Sequence, residues 1–329
     1  MRRTVLFLAV AAVAATGCNT DKVLKGRKVL DKDPAKAVEL FRQAAQERPQ
    51  CFECLAYLGY GLERTGDLAG AAAAYEQAGA MPDAGLRPEP VRQRLLGVYE
   101  SLHNNAADAD RPALAAKAAA LEATLKVARP WANLLLEEAW RKQMKDAAGA
   151  GDEARVREVA ARIQALYLPA ERKQQAAADA TDALRTVFIG RVTAALQGEA
   201  GRALADRGRL DAAAGEVVLS SEFTIPTEAA DPRFNPRAQE FESNARTEAC
   251  LPLRQQLQET VEALAPVLGL KKVDAEGLDR VFASLYANAQ AGIATYGGDK
   301  RPNPAGLPYL CRVRISFSGF ATELFRFWE

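Results

Sequence analysis

The amino-acid sequence predicts a mostly α-helical protein, a solenoid of helical hairpins closed by a small C-terminal helical cap that carries one or two β-strands. Three observations predict it. Alanine, the best intrinsic helix former, is the commonest residue in a chain that is 49% apolar and 26% charged, enough to bury a sizeable core. Apolar residues recur at three- and four-residue steps over most of the length, the period of one helix face. Near the end the pattern changes to alternation, from Tyr309 to Phe317, the period of a half-buried strand. The length of 329 residues suggests about two domains of ~150 residues each. With 43 basic and 42 acidic side chains the net charge is +1, so no global field favours nucleic acid, and no nucleic-acid partner is expected.

Residues 1–17 read as an address. Arg2 and Arg3 form a charged start, and Val5 to Ala15 is an apolar run of about a dozen residues, where a membrane-spanning helix needs ~20. Ala15-Thr16-Gly17 then places small residues before Cys18. An ordinary secretory signal would leave Cys18 near the new terminus. The small-small-Cys ending resembles a bacterial lipoprotein signal, with Ala15 where that pattern usually has Leu. The resemblance implies acylation of Cys18, palmitate included, and anchoring by several acyl chains, since one alone holds marginally. Asn19, in place of the Asp often used for inner-membrane retention, implies a lipid-anchored protein of the outer membrane. The orientation expected is toward the periplasm, with the cell surface left open beside it.

Residues 18–168 read as consecutive helical hairpins. Phe52, Leu55, Leu58, Gly59 and Leu62 share a helical face; Gly66-Asp67-Leu68 makes a turn; Ala71, Tyr75 and Ala78 line a second helix. Small residues at Gly59, Ala71 and Ala78 let the two helices approach closely, while Leu58, Leu62 and Tyr75 fill the seam. Over Phe52 to Gly85 this pattern resembles one tetratricopeptide repeat (TPR), with Leu55 in place of the family's Trp and Pro82 one position early. Upstream, Ala37, Phe41 and Ala44 repeat the second-helix offsets after Asp33-Pro34, a cap and first position; the short basic helix near Lys22 to Leu30 precedes them. Val91 to Leu102 with Pro112 to Val127, and Trp131 to Ala147 with Asp152 to Leu168, make two TPR-like hairpins, the first joined by a loop from His103 to Arg111.

Residues 169–226 are expected to hold a long helix and a divergent repeat. Ala200, Gly201, Leu204, Gly208, Leu210, Ala213 and Val217 repeat in register the spacing that begins at Leu58. Residues 227–329 form the C-terminal module, with helices over Arg237 to Ala249, Leu253 to Leu268 and Asp274 to Ala291. The strand at Tyr309 to Phe317 has Cys311, Val313 and Ile315 on its apolar side and Arg312 and Arg314 on its wet side, and needs a partner for its backbone groups. After Ser318-Gly319 the residues to Trp328 fit a returning strand and a helix equally.

No constellation for catalysis emerges, and the chain is not expected to be an enzyme or to need a cofactor or metal. The single histidine, His103, falls in the expected loop. Gly59-x-Gly61 lies inside a helix rather than between a strand and a helix, so it is no dinucleotide fingerprint. Asp108 and Asp110 lack the Gly and bidentate Glu of a calcium loop.

With Cys18 assigned to lipid, Cys51, Cys54, Cys250 and Cys311 remain, an even number in an oxidising compartment, which allows three pairings. Cys51 and Cys54 are one helical turn apart, within disulfide reach; a Cys250–Cys311 bridge would close a loop of ~60 residues and contribute about 4 kcal/mol in the chain-entropy model. Disulfides are the first reading. A redox-active CxxC at a helix start and a four-cysteine zinc site stay open beside it.

The TPR resemblance implies a concave groove lined by the first helices, suited to a peptide or a partner's helix. The residues it implies for partner binding are Glu53, Ala56, Tyr60, Glu63 and Arg64, with Arg202 and Asp206 in the later repeat. The expected function is a membrane-anchored protein–protein interaction scaffold in an envelope complex of the secretion, pilus, outer-membrane-assembly or motility type. The alternative is a periplasmic thiol–disulfide redox protein using Cys51 and Cys54.

Overall fold

The computed structural model describes residues 20–81, 88–224, 238–270, 274–288, 293–294 and 308–328, with the side chains of 222–251, 285–288, 293–294 and 308–311 excepted. They fall into two compact units, one within 1–142 and 161–176, the other within 143–160 and 177–329. The expected signal sequence and Cys18 lie outside the described residues.

In the first unit, helices follow one another in hairpins: α1 (Asp21–Val29), α2 (Pro34–Glu47), α3 (Phe52–Thr65), α4 (Leu68–Gly79), α5 (Glu89–Asn105) and α6 (Arg111–Leu125), each packed on the next. Local chemistry sets their ends. Thr20, Asp33 and Asp67 accept hydrogen bonds from the amides of Val23, Lys36 and Gly70 and so start α1, α2 and α4. Gly66, at φ +84°, closes α3 in the left-handed conformation that a Cβ would disfavour. Packing follows the small-residue spacing. A Cβ on Gly59 would lie 2.6 Å from the Tyr75 ring, so α3 and α4 meet there because only hydrogen stands between them. Tyr75, Leu62, Ala71 and Ala78 are buried in that seam. The mostly helical architecture of packed successive hairpins is therefore the one expected.

Next come α7 (Trp131–Gly149), α8 (Glu153–Ala165) and α9 (Ala170–Gln197), the long helix expected after residue 169. The start of α7 is held by a buried carboxylate. Glu122 of α6 accepts from the backbone amides of Ala132 (2.9 Å) and Asn133 (3.0 Å) and from the Asn133 side chain (2.7 Å). Asn133 in turn accepts from the amide of Tyr167 (2.9 Å), which ties the chain after α8 to the same point.

The divergent repeat does not form. α10 (Glu199–Asp206) ends at Gly208, φ +69°, as α3 ends at Gly66. Thereafter the chain enters β1 (Leu210–Asp211) and β2 (Glu216–Thr224) instead of a second helix. The reason is local. Asp67 caps α4, but the equivalent position holds Arg209, which has no acceptor to offer an amide. The next carboxylate, Asp211, accepts from the amide of Ala214 and sets a turn that Gly215 completes at φ +67°. Val217 and Val218 then favour the strand. Arg202 and Asp206, expected to face a groove, are exposed on α10.

In the second unit β1 and β2 join β3 (Ile293–Ala294) and β4 (Pro308–Ser316) in a four-stranded antiparallel sheet, ordered β1-β2-β4-β3, where one or two strands were expected. The alternation holds: Val313 and Ile315 face Leu219 and Val217 and are buried, while Arg312 and Arg314 are exposed. The buried face packs on α11 (Ala238–Leu268), one helix running through Pro252 where two were expected. Gln256 of α11 accepts from the Ser220 amide (3.0 Å) and donates to its carbonyl (2.8 Å), so it answers both backbone groups. After α12 (Ala275–Asn288) and β4, the chain ends in α13 (Phe317–Leu324), capped by Ser316, and a 3-10 turn over Phe325–Phe327. The helix prevails over a returning strand because Phe320, Ala321 and Leu324 are all buried from one helix face.

Candidate functional site

The residues of α3 named from the sequence separate in space. Ala56 and Tyr60 line a cavity of about 250 Å³, where they meet Tyr57, Tyr75 of α4, and Pro90, Val91 and Arg94 of α5. Glu63 sits beside it. Its carboxylate accepts from the Tyr75 hydroxyl (2.9 Å) and from Arg94 (3.4 Å). Arg64 lies elsewhere, 3.7 Å from Asp31, and Glu53 is half-buried at the first turn of α3.

Arg94 is the residue that sequence reasoning missed. Its guanidinium lies 4.4 Å from the centroid of the Tyr60 ring while it also pairs with Glu63, so one side chain joins the aromatic wall to the carboxylate. The signal was present: Pro90, Val91 and Arg94 are spaced i, i+1, i+4 on the first helix of the next hairpin. Tyr57 carries a similar stack, with Arg27 5.1 Å from its ring centroid. The cavity is thus walled by tyrosine faces with cations against two of them.

The buried tyrosine hydroxyls are tied to carboxylates in a recurring way. Tyr75 donates to Glu63 and Tyr99 donates to Glu76, which also holds Lys117 at 2.9 Å. Burial, and then the neighbouring carboxylate, pushes both phenols well above their ordinary range. The hydrogen bond from Tyr99, with Lys117 second, holds Glu76 below its ordinary value. These phenols stay protonated donors and are unsuited to act as bases near neutral pH.

Cys51 and Cys54 are disulfide-bonded, with α-carbons 5.3 Å apart. Both are buried, at 1% and 0% exposure, among Val23, Leu30, Ala37, Phe41 and Ala44. Cys51 is the N-cap of α3, and its Sγ accepts from the Cys54 amide (3.2 Å). The bridge pins the first turn of α3 against α1 and α2. The side chains of Cys250 and Cys311 lie outside the described residues; the backbone of Cys311 sits on β4 opposite Ser221. His103 belongs to the last turn of α5, not to a loop, and its ring meets Trp131 edge-on at 5.4 Å.

Among the described residues no helix is long and apolar enough to cross a membrane. Comparison with protein-family models, with curated proteins and with solved structures finds no match to this chain.

Proposed function

We propose that this protein is a lipid-anchored, TPR-type interaction scaffold of the bacterial envelope that holds a segment of a protein partner against α3 and α5. The reading is carried by the cavity at Tyr60, whose volume of about 250 Å³ has room for one large side chain and whose walls come from the first helices of two successive hairpins, with Tyr75 of α4 between them. Tyrosine and arginine are the side chains that dominate binding energy at protein interfaces, and here the Arg94–Tyr60 stack arranges both in advance. Acylation at Cys18 anchors the chain to the outer membrane in this reading, with the hairpins on the periplasmic side.

A photocrosslinker in place of Ala56 tests this in intact cells. One discrete adduct is expected, lost when Tyr60→Ala or Arg94→Ala is added. An adduct pattern indifferent to both substitutions would overturn the assignment of the cavity. The thiol–disulfide alternative meets a physical obstacle at the same helix. Exchange needs a thiolate to reach a sulfur, and both cysteines are almost fully buried.

A further inference from the structure

We infer that a second cleft of the first unit, between α7 and the start of α9, is a docking site for a cationic amphipathic helix of a protein partner. The cleft has a volume of about 860 Å³. One wall is a stripe along α7, formed by Trp131, Leu134, Leu135, Glu138 and Arg141 at i, i+3, i+4, i+7 and i+10. At 1.5 Å per residue that stripe is about 15 Å long, near three turns of a facing helix. The first turn of α9, with Glu171 and Arg172, forms the other wall.

Three features point to an occupant. Leu135 is 39% exposed, one of the few large apolar side chains left open among the described residues. Trp131, half-buried, adds its indole to the same wall. The charges are sorted as well. Arg141 (2.8 Å) and Arg172 (3.2 Å) are both committed to Glu137, which is fully buried at 0% exposure. Glu138 and Glu171 are exposed at the rim and make no ion pair among the described residues. Glu137 offsets one of the two arginines, and Glu138 with Glu171 outweigh the other, so three carboxylates against two guanidiniums leave one net negative charge beside an apolar strip. An apolar helix face flanked by Lys or Arg complements both.

This inference stands apart from the cavity at Tyr60, and the experiment separates the two. A fluorescein-labelled peptide of about 14 residues, Leu at one helical face and Lys elsewhere, is titrated against the full chain carrying Cys18→Ser, with anisotropy as the readout; a Leu/Glu peptide of the same pattern serves for comparison. The expected result is saturable binding of the Leu/Lys peptide, at least tenfold tighter than that of the Leu/Glu peptide. It weakens at least tenfold with Glu138→Lys plus Glu171→Lys, and with Leu135→Asp, and is unchanged by Tyr60→Ala. All substituted side chains on the cleft are exposed, and far-UV circular dichroism checks that each variant is folded. Equal binding of the two peptides, no binding of either, or insensitivity to the charge reversal overturns the proposal. So does sedimentation showing a dimer that Leu135→Asp dissolves, because the occupant is then a second copy of this chain.

Discussion

Gly59 and Tyr75 show how a single atom's absence sets a helix–helix distance, and Tyr75 carries the next consequence. Its hydroxyl reaches across the seam it fills to donate to Glu63, which also receives Arg94. Because burial and Glu63 raise its folded-state pKa above the ordinary value of 10, the folded protein holds that proton more tightly than the unfolded chain. Stability from this group is fully present below about pH 10 and falls as pH rises beyond it. Urea midpoints are therefore expected to drop between about pH 9 and 11.5, and to drop less in Tyr75→Phe, which at neutral pH costs about 1 kcal/mol for the lost hydrogen bond. A wild-type midpoint flat over that interval, or a variant with the same slope, contradicts this account. The spacing of Gly59 and Tyr75 was readable in the sequence. Their ties to Glu63 and Arg94 were not, since those depend on how three helices are arranged in space.

At the scale of elements, caps and turns decide what periodicity leaves open. The segments from Leu58 and from Ala200 share apolar spacing and a closing glycine, yet one continues as α4 and the other as β1 and β2. Asp67 against Arg209 makes the difference at the start, and Gly215 with the following valines makes it further on. The alternation from Tyr309 correctly placed β4, but a strand's partner is a long-range matter. Here β2 lies some ninety residues upstream, at a register of Val217 opposite Ile315. Gln256 completes this element by answering Ser220 on β2 from α11. Gln256→Ala leaves a half-buried amide and carbonyl without their partner, and is expected to cost about 1–2 kcal/mol in chemical denaturation. A loss below about 0.5 kcal/mol would show that water replaces the side chain there.

For the whole molecule, the proposed function divides labour between an anchor at residue 18 and a binding surface on helical hairpins. Cys18→Ser is expected to move the protein from the membrane fraction to the soluble one while leaving purified protein able to bind its partner. Arg94→Ala should do the reverse, remaining with the membrane and losing the partner. Fractionation and pulldown on the two variants read this directly; a single variant that loses both properties would argue that anchoring and binding are not separate. Of the five residues named for binding, Ala56 and Tyr60 line the cavity and Glu63 borders it, because helix periodicity alone puts them on one face. Arg64 and Glu53 fall away from it, and Arg94, Pro90 and Val91 come from a helix that begins more than twenty residues downstream.

The sequence by itself determined the successive helices of the first hairpins and their order, the close contacts at small residues and the two-faced terminal strand. All of these follow from properties that repeat every two to four residues along one chain. Only the tertiary structure decided that residues 210–224 join a sheet, that Arg94 completes the α3 wall, and that Glu137 pairs with two arginines while Glu138 and Glu171 stay open. Each of those outcomes joins groups far apart in the chain, and a pattern of local period carries no record of which distant group will arrive.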